Sequence, residues 1–217
     1  MIHMKYNTYL FDFDGTLVDS MPTFVSVMLR VLDENNVKYG KDIIKTITPL
    51  GCAGTAEYFV NKLGLSMSVE SVVELIGRYI YDEYAYRIVA KEGVVETLYT
   101  LKDMGAELHV LTASPHAVLD VCLERLGILD LFTNVWSCDD FGTTKSDVGI
   151  YKMAAEKIGK PIGEILFLDD NYNADLTAVN AGMRVCGVYD ESSRDYENDI
   201  RQIAHHYITS FPDLLTL

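Results

Sequence analysis

The chain has 217 residues, a formal net charge of −14 and a hydrophobic content of 49%, enough to bury one substantial core with an insertion, or two small domains. It lacks the concentrated Lys and Arg by which proteins hold nucleic acid or anionic membranes, and no apolar run approaches the roughly 20 residues of a membrane span. The same charge repels anionic small molecules, so a phosphate site here must bring its own metal ion and local cations. The first residues, Met1 to Tyr6, run straight into a strand-like segment rather than a signal peptide, which predicts a cytoplasmic protein. The four cysteines, Cys52, Cys122, Cys138 and Cys186, are far apart, form no C-x-x-C pair and read as reduced, structural thiols; no ligand spacing supports a zinc site with the histidines.

In chain order, the first short apolar run is Thr8 to Phe13, a strand buried on both faces. From about Leu17 to Lys91 the pattern is helical, with apolar residues at Phe24, Val27, Met28, Val31 and Leu32, at Phe59 and Leu63, and at Val69, Val72, Val73 and Ile76. A strand at Leu108 to Thr112 follows, then a helix from Ser114-Pro115 to Gly127, a strand at Val135 to Trp136, and a helix from Ser146 or Asp147 to Gly159. Another strand covers Ile165 to Asp169, Gly182 closes a helix, and Val185 to Val188 is the last strand. Such alternation predicts an α/β fold with a doubly wound parallel sheet and right-handed crossovers. The expected division is a core of residues 1–16 and 92–217 and a helical insertion of residues 17–91, joined by hinges near Thr16 to Ser20 and Ala90 to Gly93. His205 and His206 are expected at the surface or a sheet edge, and His109 in the core.

The polar residues fall at the strand ends. Asp12 and Asp14 end the first, Thr112 the second, Lys145 follows the third, and Asp169 with Asp170 ends the fourth. Ligands bind at the carboxyl ends of strands in an open parallel sheet, so these groups should converge. Asp12 and Asp14, two apart, lie on one side of an extended chain, and Gly15 permits a sharp turn after them. Close carboxylates repel unless a cation or shared proton intervenes; with Asp169 and Asp170 they form an oxygen cage suited to a hard cation such as Mg2+. Alone, an Asp-x-Asp-Gly reads more readily as the edge of an ordinary turn than as a site; the full set does not.

The run Phe11-Asp12-Phe13-Asp14-Gly15-Thr16-Leu17-Val18-Asp19-Ser20 resembles the first motif of the haloacid dehalogenase superfamily, in its phosphatase members with a helical cap inserted after that motif. Val110-Leu111-Thr112 is similar to the second motif, Lys145 with the Ala-rich helix to Gly159 to the third, and Leu166-Phe167-Leu168-Asp169-Asp170 to the fourth. The resemblance implies a Rossmann-like core of the phosphoglycolate phosphatase and beta-phosphoglucomutase subgroup, with Asp12 as nucleophile on phosphorus, Asp14 as general acid and base, and Thr112 and Lys145 on the phosphoryl group. It further implies Mg2+ held by Asp12, the Asp14 backbone carbonyl, Asp169 and Asp170, and substrate contacts from Gly15, Thr16, Ala113 and Ser114. Ser146 stands where the third motif usually has proline, and Ser can cap the helix instead. In the fourth motif Ala174 occupies the last Asp position of the Gly-Asp-x-x-x-Asp form, with Asp175 one residue late; Asp175 serves either through a water or as a first-turn helix carboxylate.

The expected activity is hydrolysis of a small phosphorylated metabolite by a monomer or homodimer, the cap selecting the substrate. Its expected contact is a loop from Thr48 to Gly54, through Gly51 and Cys52, which reads equally as a helix-to-helix turn. Lys45 and His116 are further candidate contacts; the stretch of Arg78, Tyr79, Tyr81, Tyr84, Tyr86 and Arg87 is expected mainly to pack. A sugar phosphomutase shares these motifs and differs in returning the phosphoryl group to bound substrate. A non-catalytic binding module is the other alternative, and it would be expected to lose the nucleophile, acid or lysine. Asp14 argues against carbon-halogen and carbon-phosphorus cleavage, whose enzymes lack it.

Overall fold

The computed structural model describes residues 5–217. The elements are β1 (Thr8–Phe11), α1 (Met21–Glu34), α2 (Ile43–Ile47), α3 (Gly51–Asn61), α4 (Val69–Tyr86), α5 (Val94–Asp103), β2 (Glu107–Thr112), α6 (His116–Arg125), β3 (Asn134–Ser137), α7 (Val148–Ile158), β4 (Ile165–Asp169), α8 (Tyr172–Ala181), β5 (Arg184–Val188), α9 (Glu197–Ile203) and β6 (His206–Ile208). The strands form one sheet in the order β3-β2-β1-β4-β5-β6, every neighbouring pair parallel. The order reverses at β1, so Asp12 emerges at the centre of the sheet between the ends of β2 and β4, the crevice of a doubly wound fold.

Two compact units make up the chain: one holds the residues up to 19 and from 89 onward, the other residues 20–88. In the sheet unit, Leu10, Leu111, Phe167 and Val185 pack with Ile150, Tyr151 and Ala154 of α7 and Ala174 and Ala178 of α8. On the opposite face Phe11 meets Phe132 edge-on and stacks on Phe211. Alternation along β1 thus divides its apolar residues between two layers, which is why the strand reads as a continuous hydrophobic run. The helical unit has its own core, including Val27, Val31, Ile47, Phe59, Val72 and Ile76. Within it Tyr79 and Tyr84 are buried, whereas Tyr81 and Tyr86 are exposed; the Tyr79 hydroxyl bonds Glu34 and its ring carries the Arg30 guanidinium 4.0 Å from the centroid. No helix among the described residues is long and apolar enough to cross a membrane.

The helix ends follow their sequence signals. Asp147 rather than Ser146 caps α7, accepting from the Gly149 amide at 2.8 Å, and Gly159 ends it in the left-handed region. Asn171 caps α8 and Gly182 closes it. The first strand is shorter than its apolar run: pairing as a strand stops at Phe11, the Asp12 amide makes one more rung to the Leu168 carbonyl at 2.8 Å, and the chain then folds back so that the Leu17 amide reaches the Phe13 carbonyl. β6 has three residues, too few for a legible alternation, and pairs at the sheet edge, where His206 bonds the Tyr6 hydroxyl.

His109 is buried, bonds Asn134 through Nδ1 at 3.0 Å and stacks on Trp136; burial pushes it down to about 4, so it is a neutral core residue. His116 has both ring nitrogens engaged, Nδ1 to Asp120 at 2.9 Å and Nε2 to Asp140 at 2.8 Å. It ties α6 to the turn after β3 instead of facing a ligand. The four cysteines are free thiols, and burial pushes Cys122 up to about 11.

Gly187 of β5 has no room for a side chain, since a Cβ there would lie 2.3 Å from Ile200 Cγ2 and 2.7 Å from the Tyr207 ring. Gly187→Ala is expected to lower unfolding free energy by about 1–3 kcal/mol, read from urea denaturation. The bonds to Asp120 and Asp140 raise the His116 pKa, so its contribution to stability is present below about 6.5 and fades as pH rises through the higher folded value. An NMR titration of His116 should show a midpoint above about 6.5 that falls in Asp140→Asn.

Candidate active site

Three neighbouring strands deliver the site. Asp12 follows β1, Thr112 closes β2, Asp169 closes β4 and Asp170 comes next, and all four are buried. Lys145 arrives from the loop ahead of α7, its backbone carbonyl bonded by the buried Tyr151 hydroxyl at 3.1 Å. Its ammonium donates to Asp12 Oδ1 and to Asp169 Oδ2 at 2.7 Å. One oxygen each from Asp12, Asp169 and Asp170 lie within 4.8 Å of one another.

The turn after Asp12 completes the arrangement. Gly15 has φ +77°, and a Cβ on it would sit 2.7 Å from Asp170 Oδ2, so this position requires glycine both for its conformation and for the close approach. The Thr16 hydroxyl donates to Asp170 Oδ1 at 3.2 Å. Asp14 is half-buried and accepts from the Ser114 hydroxyl at 2.5 Å. The Ser114 amide in turn donates to Thr112 Oγ1 at 3.1 Å, while Ala113 between them is exposed. The core residues singled out from the sequence therefore gather at one sheet edge, with Ser114 turned toward Asp14.

Electrostatics explain what such a cluster requires. Burial, then Asp169, push Asp12 well above the carboxylate range, against the pull of Lys145. Burial alone would depress Lys145, but Asp12 and Asp169 hold it well above its ordinary value. Asp170 rises to about 7, again through burial first and Asp169 second. Asp175, in the first turn of α8, is fully buried, both its oxygens lack a hydrogen-bond partner, and burial followed by Asp169 and Asp170 raises it strongly. Its helix position was legible in the sequence, but its complete burial beside the other acids was not.

One lysine thus faces four buried carboxylates. The donor set is all oxygen, without Cys or His, and the buried Asp175 carboxyl beside it has no hydrogen-bond partner on either oxygen. These residues fit a hard divalent cation, which compensates charge that burial would otherwise force to neutralise.

Gly51 and Cys52 belong to the helical unit. The expected loop from Thr48 to Gly54 is instead a single 3-10 turn running directly into α3, with Gly51, at φ +64°, as the first residue of that helix and Gly54 inside it. Cys52 packs on the helical core, and burial raises its thiol pKa. The helix wins over the loop because Thr55, Ala56 and Phe59, one turn apart, are all fully buried.

The chain is 28% identical to a protein named pyrophosphatase PpaX from Halalkalibacterium halodurans, over 99% of this chain and 97% of that one. It is also 28% identical to a phosphoglycolate phosphatase from Caulobacter vibrioides, over 81% of this chain and 76% of the other. Among solved structures, a protein described as a putative beta-phosphoglucomutase from Thermotoga maritima superposes with a TM-score of 0.84 at 20% identity, covering 97% of each chain. That similarity is one of fold. The family model described as haloacid dehalogenase-like hydrolase matches residues 9–188, a span that holds every acid of the cluster, Thr112 and Lys145, and the chain belongs to that family.

Proposed function

We propose that this chain is a Mg2+-dependent phosphatase that hydrolyses small phosphorylated metabolites through an aspartyl-phosphate on Asp12. The observation that carries the reading is Lys145 shared between Asp12 and Asp169, with Asp14 two residues further on. An ammonium against the nucleophile's carboxylate opposes the upward push of burial on that acid and neutralises charge arriving with a phosphate.

Asp12 attacks phosphorus with one carboxylate oxygen while the bond to the leaving oxygen breaks, and Asp14 gives that oxygen its proton. In the second half Asp14, now ionised, takes a proton from water as the water oxygen attacks phosphorus; inorganic phosphate leaves and the Asp12 carboxylate is restored. Ser114 keeps Asp14 oriented for both transfers through its hydroxyl. Thr112 lends its hydroxyl hydrogen to a phosphoryl oxygen, and Gly15 and Thr16 hold Asp170 in place. Asp12, the Asp14 carbonyl, Asp169 and Asp170 would hold Mg2+, which supplies positive charge for the transferring phosphoryl oxygens when bound. The helical unit of residues 20–88 is the substrate-selecting cap in this reading.

The full-length relative named a pyrophosphatase favours a second substrate class for the same chemistry, the phosphoanhydride bond of pyrophosphate. The phosphomutase reading is supported by likeness of fold alone. A mutase would convert one phosphorylated sugar into another, whereas a phosphatase frees inorganic phosphate.

In a Mg2+-supplemented screen of phosphoglycolate, sugar phosphates, nucleotides and pyrophosphate, wild type should release phosphate and Asp12→Asn should lose roughly a thousandfold or more in kcat. Equal rates for the two proteins refute an aspartyl-phosphate mechanism. EDTA should abolish turnover and excess Mg2+ restore it. Gly15→Ala should remain folded by circular dichroism yet lose on the order of a hundredfold in kcat, because the added methyl displaces Asp170.

A further inference from the structure

Lys91 lies in the returning hinge and belongs to none of the motifs. Its ammonium donates to the Gly15 carbonyl at 2.6 Å, the Tyr189 carbonyl at 2.6 Å and Asp190 Oδ2 at 2.9 Å. A lysine has three N–H donors and no acceptor, so this one is fully used. Its backbone is held as well, the amide donating to the Leu17 carbonyl at 3.0 Å. Asp190 is fixed independently, accepting from the Ser192 amide at 2.9 Å and hydroxyl at 2.6 Å.

We infer that Lys91 is a positioning residue, a clamp that ties the turn after the nucleophile to the end of β5 and so sets where Asp14 and Asp170 stand. The path is short. Asp190, just past β5, anchors the ammonium; the ammonium holds the Gly15 carbonyl; Gly15 lies directly against the Asp170 carboxylate, and Thr16, the next residue, bonds it. Asp14 is joined to Gly15 by the peptide whose neighbour is held. Within the turn the Gly15 amide bonds the Val18 carbonyl and the Leu17 amide the Phe13 carbonyl, and Lys91 holds it from the returning chain through both its ammonium and its amide.

A second reading of Lys91, as an anion site, fails on the same geometry. The lysine borders a cleft of about 630 Å³ whose other charged residues are Asp19, Glu92, Asp190 and Glu191. With its donors committed and acids around it, the cleft repels phosphate rather than binding it. The ammonium is partly buried, at 20% side-chain exposure beside Asp190 at 8%, where fixed charge-assisted bonds hold backbone best.

The inference rests on the phosphatase reading for its kinetic consequence, and on hydrogen exchange for its structural one. Lys91→Met, Lys91→Arg and Asp12→Asn are compared with wild type by steady-state phosphate release on the best substrate of the screen and by amide exchange mass spectrometry. Lys91→Met should lose about ten- to a hundredfold in kcat with KM within about twofold, and peptides covering residues 14–18 should exchange faster while the rest of the sheet unit is unchanged. Lys91→Arg, which keeps the cation, should recover part of the kcat. Unchanged exchange at residues 14–18 in Lys91→Met overturns the clamp. So does exchange that rises throughout the unit with kcat and KM lost together, the mark of a general structural role. Wild type no faster than Asp12→Asn defeats the phosphatase reading instead, and the exchange data then decide the clamp alone.

Discussion

Lys145 between Asp12 and Asp169 is the contact on which the rest of this molecule depends. Four carboxylates are buried within one small region of the sheet edge, and each costs free energy to keep ionised away from water. A single ammonium cannot balance them, as the upward shifts of Asp12, Asp170 and Asp175 make plain. A core optimised for stability alone would not carry this charge. Its gathering at the ends of β1 and β4 and in the first turn of α8 is intelligible as a donor set whose charge a divalent cation would balance.

The architecture serves that constraint. A parallel sheet whose order reverses at β1 points the ends of β1, β2 and β4 into one crevice, and strands buried on both faces hold those ends rigidly. The crossover helices begin in the same region, so Ser114 ahead of α6 and Lys145 ahead of α7 come from connections that must pass the crevice. The Tyr151 hydroxyl, bonding the Lys145 and Ala174 carbonyls, links α7 to α8 beneath the site.

The turn from Asp12 to Val18 is the least self-sufficient part. It leaves the sheet after one further rung, contains a glycine in the left-handed region pressed against Asp170, and runs within a few residues into the helical unit. Such a segment needs anchoring from outside itself. The bridge of Val18 to Ala90 and the bonds of Lys91 supply it from the returning chain, so the two segments that connect the units are tied to each other beside Asp14 and Gly15.

Sequence by itself determined the sheet, most strand positions, the helix ends at Gly159 and Gly182, and which residues, Asp12, Asp14, Lys145, Asp169 and Asp170, gather at the candidate site. These were legible because each is a local pattern: an apolar run closed by a polar residue, a cap, a glycine stop, a motif within a few positions. The β6 strand was too short to show a period, and α3 was obscured by the glycines at its start. Tertiary structure alone decided that Asp175 is fully buried without partners, that His116 is held by two aspartates, that Ser114 serves Asp14, and that Lys91 grips the Gly15 carbonyl. Each of these depends on residues distant in sequence meeting at one point, 76 positions apart for Lys91 and Gly15, and no spacing along the chain encodes a contact that only the sheet order and the return from the helical unit create.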